Sequence, residues 1–123
     1  MNIDITDSEL EVMRLLWRSK RALTVAELRS ELEQSKGWNR STINTLIIRL
    51  REKSAITHLD KYGPAQYVPL VTEDEYILAE EKAVLEKFGS AKKLVAAMVR
   101  NGHLTDADID ELHAYFKMGG DGK

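Results

Sequence analysis

"WNRSTINTLIIRLREKSAI", residues 38–56, reads as one helix with a single apolar side. At about 100° per residue, Ile43, Leu46, Ile47 and Leu50 fall together, the spacing of a buried stripe. Ser41, Asn44, Thr45 and Arg49 point the other way, and Thr42 lies at the border. An ordinary solvated helix would carry Glu and Lys near its start. Short hydroxyl and amide side chains instead let a helix backbone approach the DNA major groove, where they donate, accept or touch a thymine methyl. Arg40 and Arg49 add charge for phosphates or guanine edges, and the free amides of a helix start favour an anion. Glu52, the outward acid, comes a turn or more too late to enter a groove read by the N-terminal end. Ile48 also points outward, either under a neighbouring element or toward a thymine methyl. The competing reading makes Asn39, Ser41 and Thr42 plain capping residues and Arg49, Arg51 and Lys53 a solvated face complementing the helix dipole.

Context separates the two readings. One start signal, apolar, Thr, two residues, acid, apolar, recurs as Ile5-Thr6…Glu9-Leu10, Leu23-Thr24…Glu27-Leu28, Val71-Thr72…Glu75-Tyr76 and Leu104-Thr105…Asp108-Ile109. In each, Thr caps free amides, the acid reaches back, and the flanking apolar pair staples the chain as it enters the helix. The first start opens a helix with Leu10, Met13, Leu16 and Trp17 on one stripe, ending near Ser19. The second opens a short helix with Leu28 and Leu32, stopped around "QSKG". Trp38, Asn39 and Ile43 staple the third. Trp17 and Trp38 are core and staple residues on this reading, not stacking platforms.

The period then changes. "AITHLDK" and "QYVPLV" are rich in branched and aromatic residues, and Gly63-Pro64 between them marks a turn, so the pair predicts a β-hairpin. Pro69 places the second strand at an edge, or itself near a strand end. Lys61 near the hairpin tip, with His58, would reach backbone phosphates, or the tip is a simple exposed turn. Three helices and a hairpin are the order of a winged helix-turn-helix, a fold mainly α with a small β-hairpin wing, assigned here to residues 1–71.

Residues 72–123 are predicted to form three more helices, over 73–88, 91–100 and 105–118, stopped by Gly89, by Asn101-Gly102 and by Gly119-Gly120. "LVAAMV" in the middle one is apolar nearly all round, which marks a buried element. Three helices of one protomer do not cover it on both sides, so a second copy of the chain supplies the rest. The residues assigned to this dimerisation region are Tyr76, Val84, Leu85, Phe88, Leu94, Val95, Met98, Val99, Ile109, Leu112 and Phe116.

Composition limits the alternatives. The 123 residues are one domain length or two small units, with 43% hydrophobic and 31% charged residues. There is no cysteine, which excludes disulfides, thiolate metal sites and cysteine nucleophiles. The polar, acidic start "MNIDITDSE" and the lack of a long apolar run lead to the expectation of a cytoplasmic protein without a membrane segment. The net charge of −2 is unevenly spread: residues 1–71 carry +2 and 72–123 carry −4. Between Lys36 and Lys61 the bases Lys36, Arg40, Arg49, Arg51, Lys53 and Lys61 face only Glu52 and Asp60, a local +4 where a polyanion would bind. No nucleophile with a base, glycine-rich phosphate loop or carboxylate pair stands out, so an enzyme is not expected and no cofactor is assigned. Asp110 and His113, one turn apart, with His103, have ligand chemistry, but such pairs are common on solvated helices and no metal site is assigned.

The stretches "TDSELEVMRLLW", "TVAELRSEL", "WNRSTINTLIIRLREKSAI", "YVPLVTEDEY" and "LTDADIDEL" resemble the penicillinase-repressor family, the BlaI/MecI/CopY group of bacterial winged-helix repressors. The resemblance spans nearly the whole chain. It implies a homodimer whose N-terminal domains bind the half-sites of a palindromic, double-stranded operator, with the C-terminal helices interlocked. It gives Ser41, Thr42 and Thr45 the base-reading role and Arg49 a backbone or base contact. It also implies a regulatory protease that cuts an Asn-Phe bond in the helical region, but the aligned pair here is Ala97-Met98, so induction by that cleavage either does not apply to this chain or uses another bond. The Cys-x-Cys pairs of the copper-responsive branch are absent, which excludes a cysteine copper switch. The expected function is therefore a dimeric, sequence-specific transcriptional repressor. The alternative is a winged-helix module that docks a protein partner without specific DNA binding, mildly favoured by the acidic pI of about 5.9. Operator, regulated genes and inducing signal are not legible.

Overall fold

The computed structural model describes residues 4–59 and 63–121, with side-chain surroundings through Lys117. Its elements in chain order are α1 (Asp7–Ser19), β1 (Leu23–Thr24), α2 (Val25–Lys36), α3 (Arg40–Glu52), β2 (Ile56–Leu59), β3 (Gln66–Pro69), α4 (Glu73–Phe88), α5 (Ala91–Arg100) and α6 (Asp106–Asp121). The fold is mainly α: three helices and a small antiparallel sheet form a winged helix-turn-helix, followed by three further helices. The chain divides into two compact units, Met1–Glu80 and Glu81–Lys123, with the division inside α4.

All four Thr-x-x-acid starts close as reciprocal boxes. Thr6 donates its N–H to Glu9 at 2.9 Å and accepts the Glu9 N–H at 3.2 Å. Thr24 with Glu27, Thr72 with Glu75, and Thr105 with the shorter Asp108 repeat the exchange. Each box satisfies two amides that a helix start leaves unpaired.

Apolar spacing then packs the three N-terminal helices together. Val12, Met13 and Leu16 of α1, Leu28 and Leu32 of α2, and Ile43, Leu46, Ile47 and Leu50 of α3 are buried with Ile56, Tyr67 and Val71. Each such aliphatic side chain contributes about 1.5–3 kcal/mol relative to an exposed one. Trp17 closes one side of this core: its Nε1–H donates to the Val71 carbonyl at 2.8 Å, and its ring lies 5.8 Å from that of Tyr76. Trp38 packs half-buried against the same core, as its role in the staple requires.

The sheet has one strand more than the hairpin read from sequence. β1 pairs Leu23 with Tyr67 and Thr24 with Gln66, which makes β3 the central strand in the order β1-β3-β2. On its other side β3 pairs with β2 from Ile56↔Pro69 to Leu59↔Gln66. Pro69 is therefore the last residue of a central strand, not part of an edge.

Two further boundaries differ from expectation. The third helix does not run to Ile56 but stops at Glu52. There the Ser54 N–H donates to the Arg51 carbonyl at 3.0 Å and the Ala55 N–H to Leu50 at 2.9 Å, the two bonds of a Schellman stop. Ser54 takes the left-handed conformation, φ 59°, that glycine usually fills at such a stop. At the other end of the chain, α6 continues through Gly119 and Gly120 to Asp121, because glycine weakens a helix without forbidding it. In α5, Val95 and Val99 are each 45% exposed within one chain, in line with the expectation that one protomer does not cover this helix, while Lys92, Lys93 and Arg100 give it a charged side.

Replacing Ser54 by glycine should relieve the left-handed strain of about 1–2 kcal/mol, partly offset by the greater freedom of the unfolded chain. The expected outcome for Ser54→Gly is a gain of about 0.5–1 kcal/mol, read as a higher midpoint in urea unfolding; an unchanged or lower midpoint would show that Ser54 carries no strain.

Candidate nucleic-acid interface

Burial of one side of α3 decides what the other side offers. With Ile43, Leu46, Ile47 and Leu50 turned inward, Arg40, Ser41, Thr42, Thr45 and Arg49 are exposed and Asn44 is half-buried. The helix start is fixed by Asn39, whose Oδ1 accepts the Thr42 N–H at 2.8 Å, so the Asn39 amide is occupied as a cap. Thr45 donates its hydroxyl to the Ser41 carbonyl at 2.9 Å. That back-bond uses its only donor, so Thr45 turns outward a methyl group and acceptor lone pairs. The Asn44 side chain forms no hydrogen bond among the described residues and keeps both amide functions available. Ile48, 54% exposed, extends the same face with an apolar surface. Together these groups offer acceptors, an amide and methyls, the vocabulary needed at base edges in a major groove.

The basic window read from sequence separates into two kinds of cation. Lys36 pairs with Glu11 at 2.8 Å, and Glu11 also holds Arg14 at 2.8 Å. Lys53 pairs with Glu9 at 2.6 Å and donates to the Asp4 carbonyl at 2.7 Å. Both lysines are thus engaged by the α1 segment. Arg40, Arg49 and Arg51 have no ion pair among the described residues and remain the free positive charge of α3. Lys61 lies outside the described residues. His58, half-buried on β2, sits 6.1 Å from the Tyr67 ring.

The Glu9–Lys53 pair was invisible in the sequence because 44 residues separate its members. Glu9 is only 1% exposed. Burial alone would raise its carboxyl, but the Lys53 ammonium and the Thr6 backbone N–H outweigh that and hold it below the ordinary 4.5. Two surface acids behave alike for simpler reasons. Glu11 is lowered chiefly by Lys36. Glu27 is drawn down to about 2 by Arg21 and the Thr24 N–H.

The residues assigned to dimerisation divide as well. Tyr76 is half-buried against Trp17 in its own chain, and burial together with nearby Glu80 raises its hydroxyl pKa. In contrast Leu85, Phe88, Val95, Val99, Leu112 and Phe116 are each at least 43% exposed, Phe116 reaching 81%. Val84, Leu94, Met98 and Ile109 are half-buried. Among the described residues no group of three His, Cys, Asp or Glu is placed to hold a metal, His103, Asp110 and His113 included. Among the described residues no helix is long and apolar enough to cross a membrane.

A helix-turn-helix with a hairpin wing and an exposed polar third helix defines the class of winged-helix regulators. The sequence profile of a family described as "Penicillinase repressor" matches residues 5–118. A penicillinase repressor of Bacillus licheniformis is 31% identical over 111 residues, covering 89% of this chain and 86% of its own. The methicillin resistance regulatory protein MecI of Staphylococcus aureus (strain N315) is 32% identical, over 89% of both chains. Among solved structures, monomeric Bacillus licheniformis BlaI in complex with the blaP half-operator matches with a TM-score of 0.54 and 32% identity, over 60% of this chain and 89% of that one. The chain belongs to the penicillinase repressor family, a family of transcriptional repressors and not of enzymes.

A carboxyl held below its unfolded value stabilises the fold above that value and loses the contribution as pH falls through the folded one. Stability should therefore decline as pH drops below 4.5, and Glu9→Gln should make that decline shallower while costing about 1–3 kcal/mol near neutrality. Urea unfolding of both proteins across this range checks it; parallel pH profiles would remove Glu9 as a contributor.

Proposed function

We propose that the protein is a dimeric, sequence-specific transcriptional repressor that binds palindromic promoter operators and blocks access of the polymerase. The observation that carries this reading is the outward face of α3, where Ser41, Thr42, Asn44 and Thr45 lie between Arg40 and Arg49, which have no ion pair among the described residues. Family membership supports it, as does the half-operator complex of BlaI, whose winged helix matches this one. On this reading Ser41, Thr42 and Thr45 approach base edges with Asn44, while Arg40 and Arg49, joined by Lys61 of the wing, contact phosphates or guanine. A bidentate base contact is worth about 1–3 kcal/mol, and a face of short side chains makes few of them. Two half-sites are therefore needed for a selective complex.

A second copy of the chain reads the second half-site. Residues 72–123 are the proposed dimerisation region, and residues 1–71 the DNA-binding domain. Its apolar side chains, from Val84, Leu85 and Phe88 through Leu94, Val95, Met98 and Val99 to Ile109, Leu112 and Phe116, are left partly or largely uncovered by one protomer. So large an apolar surface is unusual for a lone soluble chain. Such a repressor works in the cytoplasm, where operators are.

Replacing Arg49 with Ala should weaken operator binding and reduce the slope of log affinity against log salt by about 1. An unchanged slope would remove Arg49 from the phosphate contacts. Placing Asp at both Val95 and Leu112 should give a folded monomer in sedimentation with at least about a tenfold loss of operator affinity. A dimer that survives these changes would refute the assigned interface, and loss of all selective DNA binding by the unaltered protein would favour a protein-docking module.

A further inference from the structure

We propose that Lys53 is a positioning residue for the reading helix: its bond to buried Glu9 sets the tilt of α3, and it makes no contact with DNA itself. The inference rests on the reading of α3 as the DNA-contacting helix. By sequence Lys53 belongs with the phosphate-seeking cations. In the fold its Nζ is turned back onto α1, 2.6 Å from Glu9 Oε1 and 2.7 Å from the Asp4 carbonyl oxygen.

The same Glu9 oxygen accepts the Thr6 N–H at 2.9 Å. One atom therefore joins the first turn of α1 to the C-cap of α3. Glu9 is 1% exposed and the Lys53 side chain 32%, so water competes weakly for this bond. Apolar packing between helices tolerates small rotations, because dispersion contacts have little direction. A charge-assisted hydrogen bond is short and directional, and breaking it strands a charge inside the protein. The pair is a fixed point at the end of α3 opposite its reading residues.

The lever is long. Lys53 follows Ser41 by 12 residues, about 18 Å along the helix axis. A tilt of about 5° at Lys53 would displace the reading end by about 1.5 Å, enough to lose a hydrogen bond whose useful range spans only about 0.5 Å. The other end gives less control: Asn39 caps the helix locally and is itself exposed. Base selectivity should thus depend on a residue that is remote from the bases.

The test uses the full-length protein. A duplex is selected by the unaltered protein from a random-sequence pool. Affinity for that duplex and for the unselected pool is then titrated across salt for Glu9→Gln, Lys53→Met, Lys53→Arg and the Glu9→Gln/Lys53→Met double variant. Circular dichroism fixes a temperature at which each is folded. Expected is a fall of about tenfold in the selected-to-pool ratio for either single variant, no further fall in the double, retention in Lys53→Arg, and an unchanged salt slope.

A role confined to stability would lower melting temperatures and leave the ratio intact, which overturns the proposal. A loss in Lys53→Met alone, with a shallower salt slope and a normal Glu9→Gln, would make Lys53 a phosphate contact and overturn it too. If the unaltered protein selects no duplex, the DNA-binding reading itself fails. That outcome is distinct from selection by the unaltered protein that the variants preserve.

Discussion

Four side chains on one stripe of α3, Ile43, Leu46, Ile47 and Leu50, settle the rotation of that helix about its own axis. A helix with a quarter or more of its surface apolar has one low-energy way to lie on a core, because turning it would expose those groups and bury Arg40 or Arg49 unpaired. The polar face is consequently displayed by what the opposite face buries. Its composition is then free to serve recognition, since none of Ser41, Thr42 or Thr45 is needed to hold the core. Rotation is fixed by packing, whereas tilt calls for something directional, and Glu9 has the geometry to supply it.

Charge on this protein is more sorted than a count of residues suggests. Lys36 at the end of α2 and Lys53 just after α3 each pair with an acid of α1, Glu11 and Glu9 respectively. The arginines of α3 have no ion pair among the described residues. The division suits the side chains: arginine keeps its charge under all conditions and matches phosphate or guanine with a planar fork, while lysine serves as a compact point charge beside a single carboxylate. The nominal +4 of the window therefore overstates its outward field, and the overall acidity of the chain says little about α3 itself.

How far the sequence could be read follows from the range of each interaction. Capping boxes span three residues and helix stripes span seven, so Thr6, Thr24, Thr72 and Thr105 were all legible, and so was the inward face of α3. β1 was not, because two residues carry no period and Leu23-Thr24 already served as staple and cap. The stop after Glu52 was hidden by Ser54, a residue that does not announce a left-handed turn as glycine does. Gly119-Gly120 misled in the opposite sense. For the candidate site, the exposed residues of α3 could be named from the wheel, but the partners of Lys36 and Lys53 could not, since they lie 25 and 44 positions away in the chain. The one available hint was that Glu9, as a capping acid beside a buried stripe, has a second lone pair to satisfy.

The small sheet has a further effect, on how copies of the chain associate. Its central strand ends at Pro69, which has no N–H to donate, and its outer strands are two and four residues long. Edges so short are poor templates for another strand, even with Leu59 and Leu70 half-exposed nearby. Edge-to-edge growth, the usual route from exposed strands to fibrils, is thereby discouraged. An exposed helix, by contrast, offers another chain side chains alone, because its backbone groups are already paired within it.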